Sequence, residues 1–154
     1  MSSAPKVPAG VWGIIGFLAL CSVIWIIGQG GALVAYDTVA SWGLQQDIRG
    51  EVDPAIIPVN RGVAVGDFAV QLPLFLIALV GLWKLRFFGV VAAWMSLSMH
   101  WYWTATAWAK QAFYLRAGIL AEPLAMPLQI MMAIICLVSL WACWYLFKHR
   151  KLFT

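Results

Sequence analysis

Charged residues are scarce in this sequence, and their scarcity excludes an ordinary soluble domain. Asp, Glu, Lys and Arg make up 10% of the 154 residues, whereas soluble domains carry about 25%. Hydrophobic residues make up 64% of the chain, a composition typical of an integral membrane protein. We therefore expect one membrane domain over residues 1–154 and no second domain.

Cysteine and histidine are also rare, with three and two copies. Cys21, Cys136 and Cys143 all lie in apolar runs, and neither a disulfide framework nor a metal site fits their number and spacing. The net charge is +4, but the basic residues stand at the ends of apolar runs instead of forming a nucleic-acid patch. The expectation is no metal, no cofactor and no nucleic-acid partner.

Long apolar runs are what the sequence has instead, and four of them can each cross a bilayer. They cover residues 11–35, 62–83, 87–108 and 123–147. Prolines inside them, Pro73 and Pro127, predict kinked helices. The predicted fold class is therefore all-α, an integral membrane four-helix bundle. Short basic segments at residues 84–86 and 148–151 predict that both termini are cytoplasmic, in the endoplasmic reticulum of a eukaryote or the inner membrane of a bacterium.

Polar side chains interrupt the second and third runs at matching depths. Asp67 and Gln71 are four residues apart and share a helix face, as do His100 and Thr104. At 1.5 Å per residue, Asp67 and Thr104 lie roughly 9 Å inside their span ends, and Gln71 and His100 roughly 15 Å. A charged group in a span costs at least about 2.5 kcal/mol, so Asp67 is a functional candidate by default.

These groups predict a cavity in the outer half of the bundle. Gln129 and Gln29 reach similar depths, Trp103 adds an aromatic wall, and Asp37 and Asp53 flank the mouth. Such a cluster suits a cationic amphiphile, a hydroxyl-bearing apolar ligand, or proton transfer to an alkene. The alternative is that His and Gln only link helices by hydrogen bonds and that the aromatic residues only pack.

At these residues the sequence resembles the EXPERA superfamily, most closely its sigma-2 receptor branch. The resemblance rests on Asp67, on Val70-Gln71-Leu72-Pro73, and on the basic turn before His100. Tyr36-Asp37, Asp53-Pro54, Pro123 and Pro127 are also similar to family positions. Two departures stand out: Asp67 replaces the usual Glu, and Leu33 stands where the sterol isomerase branch carries a His.

The resemblance implies a sterol-binding bundle that is often a homodimer. Asp37 would be the ligand carboxylate, Asp67 its hydrogen-bond partner, and Asp53 a structural or mouth residue. Gln71, His100, Thr104, Trp103 and Gln129 would line the pocket. The leading hypothesis is thus a receptor or carrier for a sterol-like lipid or an amphiphilic amine among membrane lipids. One alternative is a sterol or terpenoid double-bond isomerase using Asp37, Asp67 and His100, and another is a structural subunit of a membrane complex.

Overall fold

The computed structural model describes residues 6–46, 53–121 and 123–154, and these ranges contain helices but no strand. The first long helix consists of α1 (Ala9–Trp25), a π-helical turn (Ile26–Gly30) and α2 (Gly31–Val34), and it is followed by the short α3 (Tyr36–Ser41). The second consists of α4 (Ile56–Gly66), a π-helical turn (Asp67–Gln71) and α5 (Leu72–Trp83). The remaining elements are α6 (Phe87–Arg116), α7 (Met126–Lys148) and a 3-10 turn (Arg150–Leu152).

Three of the long helices are apolar enough to cross a membrane. They are Ala9–Val34, Ile56–Trp83 and Met126–Lys148, and they correspond to the first, second and fourth predicted spans. The third predicted span lies in α6, which at 30 residues is the longest helix but is not one of these three. The structure thus confirms an all-helical chain with three candidate spans in its described part.

Two helices are longer than predicted. The second begins at Ile56 instead of residue 62, and α6 continues to Arg116 instead of ending at residue 108. Asn60 and Lys110 lie outside the predicted spans of residues 62–83 and 87–108. In the structure they belong to these two helices, and Lys110 donates a hydrogen bond to Asn60. The α6 helix ends where Gly118 adopts a φ of 68° and Ile119 N–H donates to the Tyr114 carbonyl, a common C-terminal cap.

The helices α5 and α6 form a hairpin in which their backbones approach each other closely. Gly81 and Gly89 face each other so closely that a methyl group on either would overlap the backbone of the other helix. The turn between them places Leu85 at a φ of 50° with its side chain buried. Glycine at both positions therefore sets the distance between α5 and α6.

The hydrophobic core lies inside the packed long helices. The α1 helix contacts α5 and α7, and α6 contacts both of those helices. The core residues include Ile14, Leu18, Phe75, Leu97 and Leu146, all fully buried. Large apolar side chains also cover the outside, for example Leu137, which is 65% exposed, as expected for a surface that meets lipid.

Both described chain ends lie at one end of the packed helices. Gly10 in α1 is next to the Tyr145 ring of α7. Phe153 is buried in the core, and Thr154 N–H donates to the Leu85 carbonyl at 3.0 Å. The basic turn around Leu85 therefore shares this end, and the polar ends of α3 and α4 lie at the other.

Proline positions coincide with departures from the regular α-helix. Pro73 is in the first turn of α5, directly after the π-helical turn Asp67–Gln71. Pro127 is in the first turn of α7, where its missing N–H costs nothing because no intrahelical acceptor is available there. The kinks predicted at Pro73 and Pro127 stay predictions, and what the structure adds in the second helix is a π-helical turn directly before Pro73.

Candidate functional site

Two π-helical turns lie side by side and form the base of the candidate site. Ile26–Gly30 of the first helix contacts Asp67–Gln71 of the second. Gly30 allows this approach, since a methyl group there would meet the Phe68 ring at 3.0 Å. The buried polar residues of the two turns are Gln29, Asp67 and Gln71. Single π-helical turns occur frequently at functional sites because they re-aim side chains.

The first turn has a specific partner for its released backbone groups. Gln45, just after α3, donates from Nε2 to the Gly28 carbonyl and to Gln29 Oε1, each at 3.4 Å. A π-helical turn shifts the intrahelical bonding pattern and leaves carbonyl groups that need outside donors. The loop after α3 thus holds the first turn in place.

Four buried side chains, Trp25, Asp67, Gln71 and His100, form what we call the inner cluster. Each has one polar atom that is buried and makes no hydrogen bond: Trp25 Nε1, Asp67 Oδ2, Gln71 Oε1 and His100 Nε2. The Trp25 indole is within interaction range of the Asp67 carboxylate. An unpaired buried polar group costs about 1–3 kcal/mol, so a polar group that reached these atoms would relieve part of that cost.

Ring contacts hold the inner cluster together. The Trp25 and His100 ring centroids are 5.4 Å apart, and Phe75 lies 5.8 Å from Trp25 and 5.7 Å from His100. Gln71 is positioned by its own amide, which donates from Nε2 to the Ser96 carbonyl at 2.9 Å. The α1, α5 and α6 helices and the second π-helical turn thus each contribute to one packed group of rings with polar atoms at its edge.

The tautomer of His100 follows from its hydrogen bonds. Ser139 Oγ lies 2.7 Å from His100 Nδ1 and donates its proton to the Ile135 carbonyl, also at 2.7 Å. Because that hydroxyl has one proton, Nδ1 carries the hydrogen and donates to Ser139. The neutral ring then presents Nε2 as a bare acceptor toward the inner cluster.

Ser139→Ala is expected to destabilise the fold by about 1–3 kcal/mol, because it leaves His100 Nδ1 buried without an acceptor. Thermal or denaturant unfolding in detergent measures the loss. Ser98→Ala is the matched control, since Ser98 is exposed and bonds only to Met95 within its own helix. Equal stability of the two variants would contradict the assigned tautomer.

A cavity of about 330 Å³ lies beside the inner cluster, at the end away from the chain termini. Its polar and charged lining residues are Gln29, Ser41, Gln45, Gln46, Asn60, Lys110, Gln111 and Tyr114. Trp103 also lines it and packs on Trp25 with ring centroids 5.4 Å apart. The two tryptophans therefore stand between the cavity and His100.

Lys110 links the cavity to the two helices opposite it. Its Nζ donates to Asn60 Oδ1 at 3.1 Å, and Asn60 Nδ2 donates to the Tyr36 hydroxyl at 3.0 Å. Lys110 and the Asp67 carboxylate also interact through their opposite charges. Lys110 is thus the electrostatic connection between the cavity and the inner cluster.

Three of the eight predicted ligand residues meet in one place. Asp67, Gln71 and His100 are buried in the inner cluster. Thr104 is also buried, but its hydroxyl lies 3.3 Å from Cys136 Sγ, toward α7. Trp103 is the one of these eight that lines the cavity, and Gln29, which was also predicted to reach it, lines the cavity as well. Gln129 is half-buried and donates to the Leu124 carbonyl at 2.8 Å, at the start of α7.

The structure corrects the predicted positions of Asp37 and Asp53. Asp37 is exposed and belongs neither to the cavity lining nor to the inner cluster. The helix is interrupted at Ala35, and the next residue, Tyr36, has the buried side chain instead of Asp37. Asp53 Oδ1 accepts from the Ala55 N–H at 2.8 Å, so this carboxylate organises the turn before α4.

Sequence reasoning missed Trp25, Asn60, Lys110, Gln111 and Tyr114. The last three lie in the segment that was interpreted as a connection. Their spacing at 110, 111 and 114 continues that of Ala107 and marks one face of a helix, and this pattern was the available signal. Trp25 had no signal beyond being aromatic in an apolar run.

Comparison with known protein families, with curated protein sequences and with solved structures finds no match for this chain.

Proposed function

We propose that the protein is a multi-pass membrane protein in which α6 is a fourth span and both termini are cytoplasmic. The α6 helix supports this because it packs between α5 and α7, two elements of candidate spans. Basic residues at the shared end support the orientation. They are Lys6, Lys84, Arg86, Lys148, Arg150 and Lys151, all exposed, and lysine and arginine near span ends favour the cytoplasmic side.

We infer that the protein is a membrane-embedded receptor or carrier for a sterol-like lipid or an amphiphilic amine. The observation that carries this inference is the set of four buried polar atoms without partners in the inner cluster. Gln71 Oε1 and His100 Nε2 accept hydrogen bonds, as does an ionised Asp67, and only Trp25 donates. A hydroxyl or ammonium group supplies the donors that such a cluster lacks.

The cavity supports the same proposal from the other side of Trp103. Its apolar lining residues, Leu44, Val63, Trp103, Leu124 and Leu128, suit a hydrocarbon body. A ligand whose head reaches the inner cluster has to displace the Trp103 ring from Trp25. The cavity and the inner cluster are in this proposal the two halves of one binding site.

The test is saturable binding of three probes to the purified protein in detergent, measured by native mass spectrometry. The probes are cholesterol, oleylamine and, as the uncharged match of the amine, oleyl alcohol. Asp67→Asn is expected to weaken oleylamine binding about tenfold, or about 1.4 kcal/mol, because it removes the charge facing the ammonium group. Asp37→Asn is the matched control and is expected to change the affinity by less than about twofold, since Asp37 is exposed.

Two results would overturn the receptor proposal. One is the absence of saturable binding for all three probes by the folded wild-type protein. The other is an equal loss of oleylamine affinity in the Asp67→Asn and Asp37→Asn variants. It would mean that the amine is attracted by the overall negative charge and does not bind at the inner cluster.

A sterol or terpenoid double-bond isomerase is the second candidate. It is favoured by a carboxylate and a bare imidazole nitrogen that are both buried in the inner cluster, at Asp67 and His100. Proton addition and removal at an alkene require an acid and a base, and in this version Asp67 is the protonated acid and His100 Nε2 is the base. Asp37 has no role in this isomerase proposal, because its side chain is exposed. Incubation with a Δ8-sterol and detection of a shifted double bond separates the isomerase from the receptor.

A further inference from the structure

One face of α6 forms a wall of the cavity that the receptor proposal does not use. Ala107, Lys110, Gln111 and Tyr114 all line the cavity. They are spaced at i, i+3, i+4 and i+7, so they lie along a single side of the helix. Three of the four carry polar groups, which makes this wall the most polar side of the cavity formed by one helix.

Two polar groups of this wall are hydrogen-bond donors without acceptors, and the third, Lys110, has more donors than the one it uses. Gln111 Nε2 and the Tyr114 hydroxyl are buried and have no hydrogen-bond partner. Lys110 Nζ has three N–H groups, and Asn60 Oδ1 accepts from one of them. A phenol is protonated at neutral pH, so the Tyr114 hydroxyl is able to donate. Buried donors left unpaired are costly, so an acceptor here would remove that penalty.

Charge on this wall has one sign in the described part of the chain. Lys110 is the only Lys, Arg, Asp or Glu among the described residues that line the cavity. A cation flanked by an amide N–H and a phenol O–H is complementary to an oxyanion with several lone pairs. A neutral head group could accept hydrogen bonds from these donors but would bring no negative charge to Lys110.

We propose that the α6 wall is a subsite for an anionic group, a carboxylate or a phosphate, carried on an apolar chain. Lys110 supplies the charge, and Gln111 and Tyr114 donate hydrogen bonds to its oxygens. The apolar residues across the cavity, including Leu44, Leu124 and Leu128, contact the chain. This site goes beyond the receptor proposal, since it lies on the cavity side of Trp103 and requires no ligand in the inner cluster.

The test uses oleate against its uncharged methyl ester, with inorganic phosphate as a free anion, on the full-length protein in a neutral detergent. Oleate is expected to bind at least about tenfold more tightly than methyl oleate. Lys110→Gln should remove that preference while leaving methyl oleate binding unchanged. Arg116→Gln is the matched control, because Arg116 is an exposed cation at the end of the same helix and its loss should leave the preference intact.

Two further variants keep the proposal testable if Lys110→Gln fails to fold. Gln111→Leu and Tyr114→Phe each remove one donor, and each should weaken oleate binding about three- to tenfold without affecting methyl oleate. Asp67→Asn should leave the affinity for oleate unchanged or increase it. A failure of the inner cluster as a binding site can therefore be distinguished from a failure of the anionic subsite.

Three results would overturn the anionic subsite. They are equal affinity of the wild-type protein for oleate and methyl oleate, an equal loss of preference in Lys110→Gln and Arg116→Gln, and no effect of either donor variant. Phosphate binding that depends on Lys110, without a preference for oleate, would overturn the apolar-chain part of the proposal and assign the site to a soluble anion.

Discussion

Gly89→Ala is expected to destabilise the protein by about 3 kcal/mol or more, at the upper end of the cost of overpacking. The added methyl group would overlap the backbone of Gly81 and Leu82, and no rotamer change relieves a clash with backbone. Helix propensity favours alanine by about 1 kcal/mol, so the measured loss is what remains after that gain. Gly81→Ala should behave alike, because the overlap is mutual.

The measurement for this prediction is unfolding in mixed micelles, followed by the loss of helical circular dichroism. Gly13→Ala is the control, since Gly13 also lies in a spanning helix but nothing stands within 4 Å of its added methyl group. That variant should keep or slightly increase the stability. If Gly89→Ala unfolds at the same point as Gly13→Ala, then α5 and α6 are farther apart than the structure places them.

Phe75→Ala is expected to cost about 2–3 kcal/mol of unfolding free energy. Phe75 is fully buried between Trp25 and His100, and its removal leaves a cavity that rigid helices fill only in part. Large-to-small changes of this kind cost about 3–5 kcal/mol in soluble proteins. The expected loss is smaller here because lipid is as apolar as the interior, so little transfer free energy is lost.

Leu76→Ala is the matched control for Phe75→Ala, since Leu76 is the next residue and is 52% exposed. It should change the stability by less than about 0.5 kcal/mol. The two variants are compared by the same unfolding measurement. An equal loss in both would mean that α5 is rotated relative to the position described, with the face that carries Phe75 turned toward lipid.

The positions of the apolar helices could be predicted from the sequence, but their ends could not. Hydropathy detects residues that tolerate lipid, and it found Ala9–Val34, Ile56–Trp83 and Met126–Lys148 to within a few residues, except at Ile56. Hydropathy cannot show where a helix continues into a polar segment. Asn60 and Lys110 extend their helices because each is the other's hydrogen-bond partner, a pairing 50 residues apart in the chain.

The residues of the candidate site could likewise be predicted only in part. Asp67, Gln71 and His100 were predicted from their depth, which depends only on helix rise, and all three are buried, but none of them lines the cavity and their role in binding stays a prediction. Asp37 was placed by the resemblance, but its side chain depends on the direction of the chain after Ala35, which no local pattern encodes. The π-helical turns were not predicted either, because their stability comes from contacts between helices.

Each of the two widened turns contains one residue more than regular winding requires, and this has a consequence for insertions and deletions. Loss of a single residue between Asp67 and Gln71 would restore an uninterrupted α-helix and leave the later residues facing nearly the same direction, because the widened turn already absorbs the extra residue. Phe75, Ala78 and Leu82 now point inward together and would still do so. Loss of a residue after Gln71, by contrast, would rotate the residues beyond it by about 100°. The five positions of the turn therefore tolerate a deletion better than the regular helix that follows them.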